Sequence, residues 1–209
     1  MRSVYLFKLK FNTPYGLRVG GNREDINALT PISINGNYLI PASSWKGVFR
    51  RVSEILFASK EHFNGHKGEK VKIDESLNFE AKGVESEEEK MRFTAMWNCP
   101  IERLYGSEYF AGAVTFSDTV ISSGIYERVH VSIDRKSKRS LEGHLFREQI
   151  IDVKSVYVKV IVRDMIEEWV KTLKFMSEVG TFIGGGKSRG IGYALLDWKE
   201  SEFAEVKSP

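Results

Sequence analysis

SVYVKVIVRDMIEEWVKTLKFMSEVGTFIGGGKSRGIGYALLDW, residues 155–198, changes its hydrophobic period twice. Val156, Val158, Val160 and Val162 fall on alternate positions, the pattern of a half-buried strand over 155–163. From 164 to 178 the apolar residues Ile166, Trp169, Val170, Leu173 and Met176 recur at helical spacing, with Asp164 placed to cap the helix. A glycine-rich loop follows, and YALLDW, residues 193–198, reads as a closing strand. The stretch is a strand–helix–strand unit joined through glycines.

The first half of the chain has the same grammar. In VYLFKLKF, residues 4–11, Tyr5, Phe7, Leu9 and Phe11 share one face and Lys8 and Lys10 the other. Residues 12–31 read as a long loop and 32–40 as a short strand that Pro41 ends. A helix is expected next, capped by Ser43 or Ser44, with Trp45, Val48, Phe49, Val52, Ile55 and Leu56 as its buried stripe. GAVTFSDTVI, residues 112–121, reads as a second core strand. Strand, helix, strand, strand, helix, strand is an α+β order. It predicts a ferredoxin-like (RRM-like) βαββαβ core, an antiparallel sheet with two helices on one face, a plan that RNA-recognition modules use. The chain, 1–209, reads as one domain with two additions. Residues 60–90 form a charged insertion, expected to be partly disordered, and residues 126–146 form a basic arm, read as a long hairpin or a loop that orders on binding. Residues 91–106 suggest a short helical turn before Gly106.

Bulk composition narrows the function classes. Apolar residues make up 42% of the 209, enough for a sizeable core. No run of eighteen apolar residues exists, so no membrane partner is expected, and the strictly alternating N-terminus does not read as a signal peptide. The single cysteine, Cys99, rules out an internal disulfide and fits a cytoplasmic protein. Thirty-one Lys and Arg against 28 Asp and Glu give a formal charge of only +3, so the distribution of charge matters more than its sum.

The glycine loop admits several readings. Gly186-Lys187-Ser188 supplies the end of a P-loop, but Thr181 stands where its first glycine belongs, and the loop follows a helix and precedes a strand, the reverse of that motif's context. A helix C-cap and turn is the plain alternative. Three consecutive glycines followed by Lys-Ser-Arg-Gly exceed what a cap requires. Glycines let backbone N–H groups approach an anion, and Lys187 and Arg189 add charge, which points to phosphate or RNA-backbone contact.

Four segments together resemble a known family: YLIPASSWKGVFRR (38–51), CPIERLYGS (99–107), RVHVSIDRKSKRSLEGHLFREQII (128–151) and GTFIGGGKSRGIGYALLDW (180–198). Their order and spacing are similar to the RAMP superfamily, and most like the backbone subunits of type III CRISPR–Cas effector complexes. Lys46, Gly47 and Arg50 match that family's I-P-G-S-S-L-K-G-x-x-R, with Ala42 and Trp45 as departures. Cys99, Pro100, Arg103, Leu104 and Gly106 match C-P-x-C-R-L-F-G, with Glu102 at the second cysteine. Ile133, Asp134, Arg135, Gly143, Leu145 and Phe146 match the third pattern, and Gly184 to Gly192 the fourth. The resemblance implies a protein of antiviral defence that stacks in several copies along a CRISPR guide RNA and shapes its duplex with target RNA through a thumb-like hairpin. Its partners would be the guide RNA, target RNA, other RAMP subunits and the large subunit. Base pairing, not the protein, would supply sequence specificity.

On this reading the RNA-binding candidates are Arg18, Ser43, Ser44, Lys46, Arg50 and Arg51 in the first half. Arg128, Arg135, Lys136, Lys138 and Arg139 join them in the arm, and Gly184, Gly185, Gly186, Lys187, Ser188 and Arg189 in the loop. Lys46 and Arg50, four apart on one helix, are placed to grip adjacent phosphates.

Catalysis and metal binding are separate questions. The cutting members of the family carry an aspartate before a polar-Pro-apolar segment. Here Thr30-Pro31-Ile32 matches that segment, but Leu29 precedes it, leaving Asp25 as the candidate catalytic carboxylate, with Mg²⁺ or Mn²⁺ as its cofactor. The alternative, a non-cutting copy in which Asp25 is an ordinary loop residue, stays open. No histidine precedes His62, which counts against the guide-processing nucleases. His62, His66 and Cys99 form a candidate zinc site from an H-x₃-H pair and a soft thiolate, and family members often carry a metal-binding insertion near this cysteine; two solvated histidines and a buried thiol are the alternative. A stand-alone RNA-binding module is a third functional class, disfavoured because 112–121 and 155–163 lack the aromatic RNP pattern.

Overall fold

The fold was obtained as a computed structural model and is described for residues 3–20, 23–25, 28–80 and 83–207, with backbone alone for 23–25, 28–29 and 142–144. β1 (Ser3–Asn12) lies at the centre of the main sheet, antiparallel to β10 (Ser155–Val162) on one side and to β12 (Tyr193–Lys207) on the other. β6 (Val114–Phe116) pairs the far side of β10, and β11 (Thr181–Phe182) the far side of β12. The order β12-β1-β10-β6, with α1 (Ala42–Phe57) and α5 (Ile166–Glu178) as the connecting helices, is the ferredoxin-like βαββαβ arrangement the hydrophobic periods predict. β12 is longer than the expected 193–198 and continues along β1 as far as Ser3 opposite Lys207.

Alternation explains the layers. Phe7, Leu9 and Phe11 of β1 and Val156, Val158, Val160 and Val162 of β10 are buried under the helices. Phe11 packs on Trp45 with ring centroids 5.2 Å apart, and Phe49 of α1 stacks on Trp169 of α5 at 4.9 Å. One polar chain crosses this core: Ser53 Oγ lies 2.8 Å from the Tyr105 hydroxyl and 2.9 Å from Thr172 Oγ1, joining α1, α5 and α4 (Pro100–Tyr105).

Several local expectations are corrected. α1 is not capped by Ser43 or Ser44, which sit inside its first turn; Pro41 is the N-cap, and Asp118 accepts the Ala42 N–H at 2.7 Å from a distant loop. That same Asp118 lies where 112–121 breaks in two, β6 staying with β10 while β7 (Thr119–Ile121) leaves to pair β5 (Asn37–Ile40), itself hairpinned to β4 (Ser33–Ile34). Ile55, Leu56 and Val170 are exposed, because the sheet covers only one side of each helix. α5 starts after Met165 in a left-handed conformation without a side-chain cap, and Asp164 pairs with Arg103.

The charged segment is a folded insertion. α2 (Lys60–Phe63) and α3 (Glu87–Asn98), the latter opened by a Ser86–Glu89 capping box, flank it. Phe79, Val84 and Phe93 form a small second core with Leu77, Trp97 and Phe110. Those apolar residues follow neither a helical nor a strand period, so a period-based reading finds only their charged neighbours. The basic arm is a two-stranded hairpin, β8 (Ile125–Ile133) and β9 (Ser140–Ile151), whose edge takes up β3 (Ala28–Leu29) and then β2 (Arg23–Asp25), inside what reads as loop.

Phe49→Ala, which empties the stack between the two helices, is expected to lower the unfolding free energy by about 3–5 kcal/mol, measured by denaturant titration; a loss below about 1 kcal/mol would contradict this packing.

Candidate nucleic-acid interface

A groove of about 510 Å³ runs between α1, the C-terminal turn of α5 and the glycine loop. Ser44, Gly47, Val48, Arg51 and Ile55 line it from α1, at the i, i+3, i+4 spacing of one helix face. Phe175 and Val179 form the second wall, and Phe182, Gly184 and Lys187 the third. Gly47 is exposed inside the helix, and a side chain there would meet nothing within 4 Å. Packing therefore does not require the glycine, although it weakens the helix by about 1 kcal/mol relative to alanine.

The expected Lys46–Arg50 pair is rearranged. Neither residue lines the groove. Lys46 is exposed, while the Arg50 guanidinium is turned to Glu102 at 2.9 Å and Glu54 at 3.3 Å. Arg51 takes the groove position instead, its exposed side chain 3.3 Å from Glu54. Sequence spacing places Arg50 and Lys46 on one side of the helix; it cannot show that a carboxylate from another element, Glu102, already occupies the arginine.

The glycine loop reaches its shape through left-handed residues. Gly184 has φ +79°, and its Cα faces the carbonyl of Arg18 so closely that a Cβ would clash with it, while the Gly185 N–H donates to that carbonyl at 2.7 Å. Gly186, at φ +76°, leads into a 3₁₀ turn over Lys187–Arg189. Among the described residues the amides of Gly186, Lys187 and Ser188 donate to no acceptor. A left-handed glycine followed by right-handed residues is the backbone form that turns successive N–H groups toward an anion. Lys187, at the groove, has no carboxylate partner among the described residues.

Arg18 and Arg189, both expected at RNA, meet instead on Glu148 of β9, whose side chain is wholly buried. Arg18 Nε donates to Oε1 at 2.6 Å; Arg189 donates through Nη2 to Oε1 at 3.0 Å and through Nε to Oε2 at 3.2 Å; His130 Nε2 lies 3.1 Å from Oε2. Burial pushes the Glu148 carboxyl up, and the two guanidinium groups outweigh it and hold the carboxyl below its usual range.

The hairpin carries its cations where the sequence places them. Arg135, Lys136, Lys138 and Arg139 are exposed at the turn, which Asp134 closes by accepting the Ser137 N–H at 2.7 Å. Arg128 is half-buried, with its guanidinium 5.8 Å from the Tyr126 ring centre. The sequence reading missed an exposed apolar stripe on one face of the hairpin, Val129 and Val131 on β8 with Leu145 opposite Val131. The signal was available in the strict alternation of RVHVSI.

His62, His66 and Cys99 converge, with ligand atoms within 4.8 Å of one another, and all three are buried, which overturns the solvated-histidine alternative. Cys99 is held at the junction of α3 and α4. His62 Nδ1 lies 3.6 Å from Cys99 Sγ and 3.2 Å from Glu102 Oε1. His66 Nδ1 is 2.6 Å from Glu69, and its Nε2 is buried with no partner among the described residues. A carboxylate on one ring nitrogen with the other left open is the arrangement that orients a metal-ligating histidine. Two imidazoles and a thiol are ligand types that suit zinc. Asp25 belongs by backbone to β2, opposite Ala28, and its side chain lies outside the described residues.

The family model of the RAMP superfamily matches residues 8–194. The chain belongs to the RAMP superfamily. No curated protein matches it. Among solved structures, it is similar to a chain in the cryo-EM structure of the type III-B Cmr-beta bound to cognate target RNA. That likeness has a TM-score of 0.60 at 13% identity, and covers 98% of this chain and 61% of the other. The chain thus spans less than two thirds of the protein it matches, and the likeness is one of fold. Among the described residues no helix is long and apolar enough to cross a membrane.

Gly184→Ala forces a side chain into a left-handed position against the Arg18 carbonyl. It should lower stability by about 1–3 kcal/mol in thermal or denaturant melts, whereas Gly47→Ala should leave stability unchanged or raise it by up to about 1 kcal/mol.

Proposed function

We propose that this protein is a guide-RNA-binding backbone subunit of a type III CRISPR effector complex, acting in the cytoplasm. The groove carries the proposal. A helix face notched at Gly47, the cations Lys187 and Arg51, and Gly184 of the glycine loop line one trough, and next to Lys187 in the chain the amides of Gly186 and Ser188, like its own, donate to no acceptor among the described residues. Amides and long cations bind phosphates irrespective of base, which suits a subunit whose partner strand reads the sequence by pairing. Ser43, Ser44 and the exposed Lys46 extend the phosphate track along α1. The turn cations Arg135, Lys136, Lys138 and Arg139 reach toward the guide–target duplex. The apolar stripe of Val129, Val131 and Leu145 supports contact with another subunit, as stacking along a guide requires.

Lys187→Ala and Arg51→Ala should each make the salt dependence of single-stranded RNA binding shallower by about 0.7 in the log–log slope, at any RNA sequence. Unchanged slopes in folded protein would refute the groove assignment.

A zinc site in the insertion is a second proposal, favoured by the convergence of His62, His66 and Cys99 and by the buried Nε2 of His66, which has no partner among the described residues. His62, His66 and Cys99 would hold the ion, and their burial outside the groove suits a structural role. Elemental analysis of protein purified without chelating resin should find about one zinc per chain, lost in Cys99→Ala. Metal-free folded protein would remove the site.

A further inference from the structure

Glu148 joins parts of the chain that are far apart in sequence: the loop after β1 through Arg18, both strands of the hairpin through His130 and itself, and the glycine loop through Arg189. Its carboxylate also lies close to the loop backbone, since a Cβ added to Gly186 would stand 3.1 Å from Glu148 Oε1. Gly186 is the residue at which the amides without an acceptor among the described residues begin. The two arginines are therefore not free cations of the groove. Each is turned inward onto a carboxylate that has no access to water, and a buried carboxylate deprived of one partner is strongly unfavourable.

We propose that Glu148 is the positioning residue of the phosphate site. It engages Arg18 and Arg189, clamps the glycine loop to the base of the hairpin, and so presents the amides of Gly186, Lys187 and Ser188 at a set angle to the duplex-facing arm. The proposal rests on the RNA-binding reading of the groove. It reverses the role of two of the residues that reading would use: Arg18 and Arg189 act on the loop through Glu148 and not on phosphate. Fully ionised guanidinium groups suit the task, because they present paired donors to the carboxylate in a fixed plane.

Arg189→Gln and Glu148→Gln in the full chain separate the possibilities, with two readouts. Hydrogen exchange without RNA follows the amides of Gly185 and Ile191, which bond to Arg18 and Gly186 across the loop. Both variants should speed it by about tenfold or more, as expected when a charge-assisted pair to a buried group is lost. The salt dependence of binding to a single-stranded RNA oligonucleotide is the second readout. It should be unchanged in Arg189→Gln, and steeper by about 0.7 for each arginine that Glu148→Gln releases toward phosphate. A slope shallower by about 0.7 in Arg189→Gln would overturn the proposal, because Arg189 would then be touching RNA. Unaltered exchange in both variants would overturn the clamp itself, whatever RNA does. Faster exchange in a protein whose wild type binds no RNA would refute the RNA reading, leaving Glu148 a structural clamp without a positioning role. If Glu148→Gln does not fold, Arg189→Gln decides alone, since it leaves the carboxylate with Arg18 and His130.

Discussion

A carboxylate without access to water must be neutralised where it lies, and Glu148 is neutralised by Arg18 and Arg189, with His130 beside it, three groups drawn from separate stretches of chain. That requirement ties the hairpin to the glycine loop and the glycine loop to the segment after β1. The loop itself has no hydrophobic side chain between Gly184 and Gly190 to hold it down. Its conformation rests on a main-chain bond to Arg18, on left-handed glycines, and on the charge cluster around Glu148.

The same logic operates on the other side of α1. Glu102 and Glu54 accept from Arg50, and both lie near His62, so the helix that lines the groove is joined through charge to the insertion that gathers His62, His66 and Cys99. The insertion has only a small aromatic core of its own. A cation bound among buried ligands would add a constraint where hydrophobic burial is thin, as metals do in small modules.

Much of this was legible in the residues. The alternation of Phe7, Leu9 and Phe11, the valines of 155–162 and the helical spacing through Trp169 and Met176 led to the right core and connectivity. The four motif segments, from the one around Lys46 to the one around Gly184–Gly192, together led to the right family. Misreadings arose where one side chain serves a distant element. Asp118 caps α1 and breaks the strand that 112–121 would otherwise form. Phe79, Val84 and Phe93 make a core without a period, and Ile55 and Val170 belong to helices wider than the sheet beneath them.

The order of elements, the buried stripe of β1 and β10, and the segments rich in cations and glycine are written in local sequence, because each of these depends on residues within a few positions of one another. Which cations line the groove is settled only by tertiary contacts. Lys187 and Arg51 keep their place at the groove, while Arg18, Arg50 and Arg189 are engaged by Glu148 and Glu102. The reason is physical: a positive charge is neutralised by whatever carboxylate folding brings within about 4 Å. Here the pairs are separated by between 41 and 130 positions along the chain, beyond the reach of any local pattern.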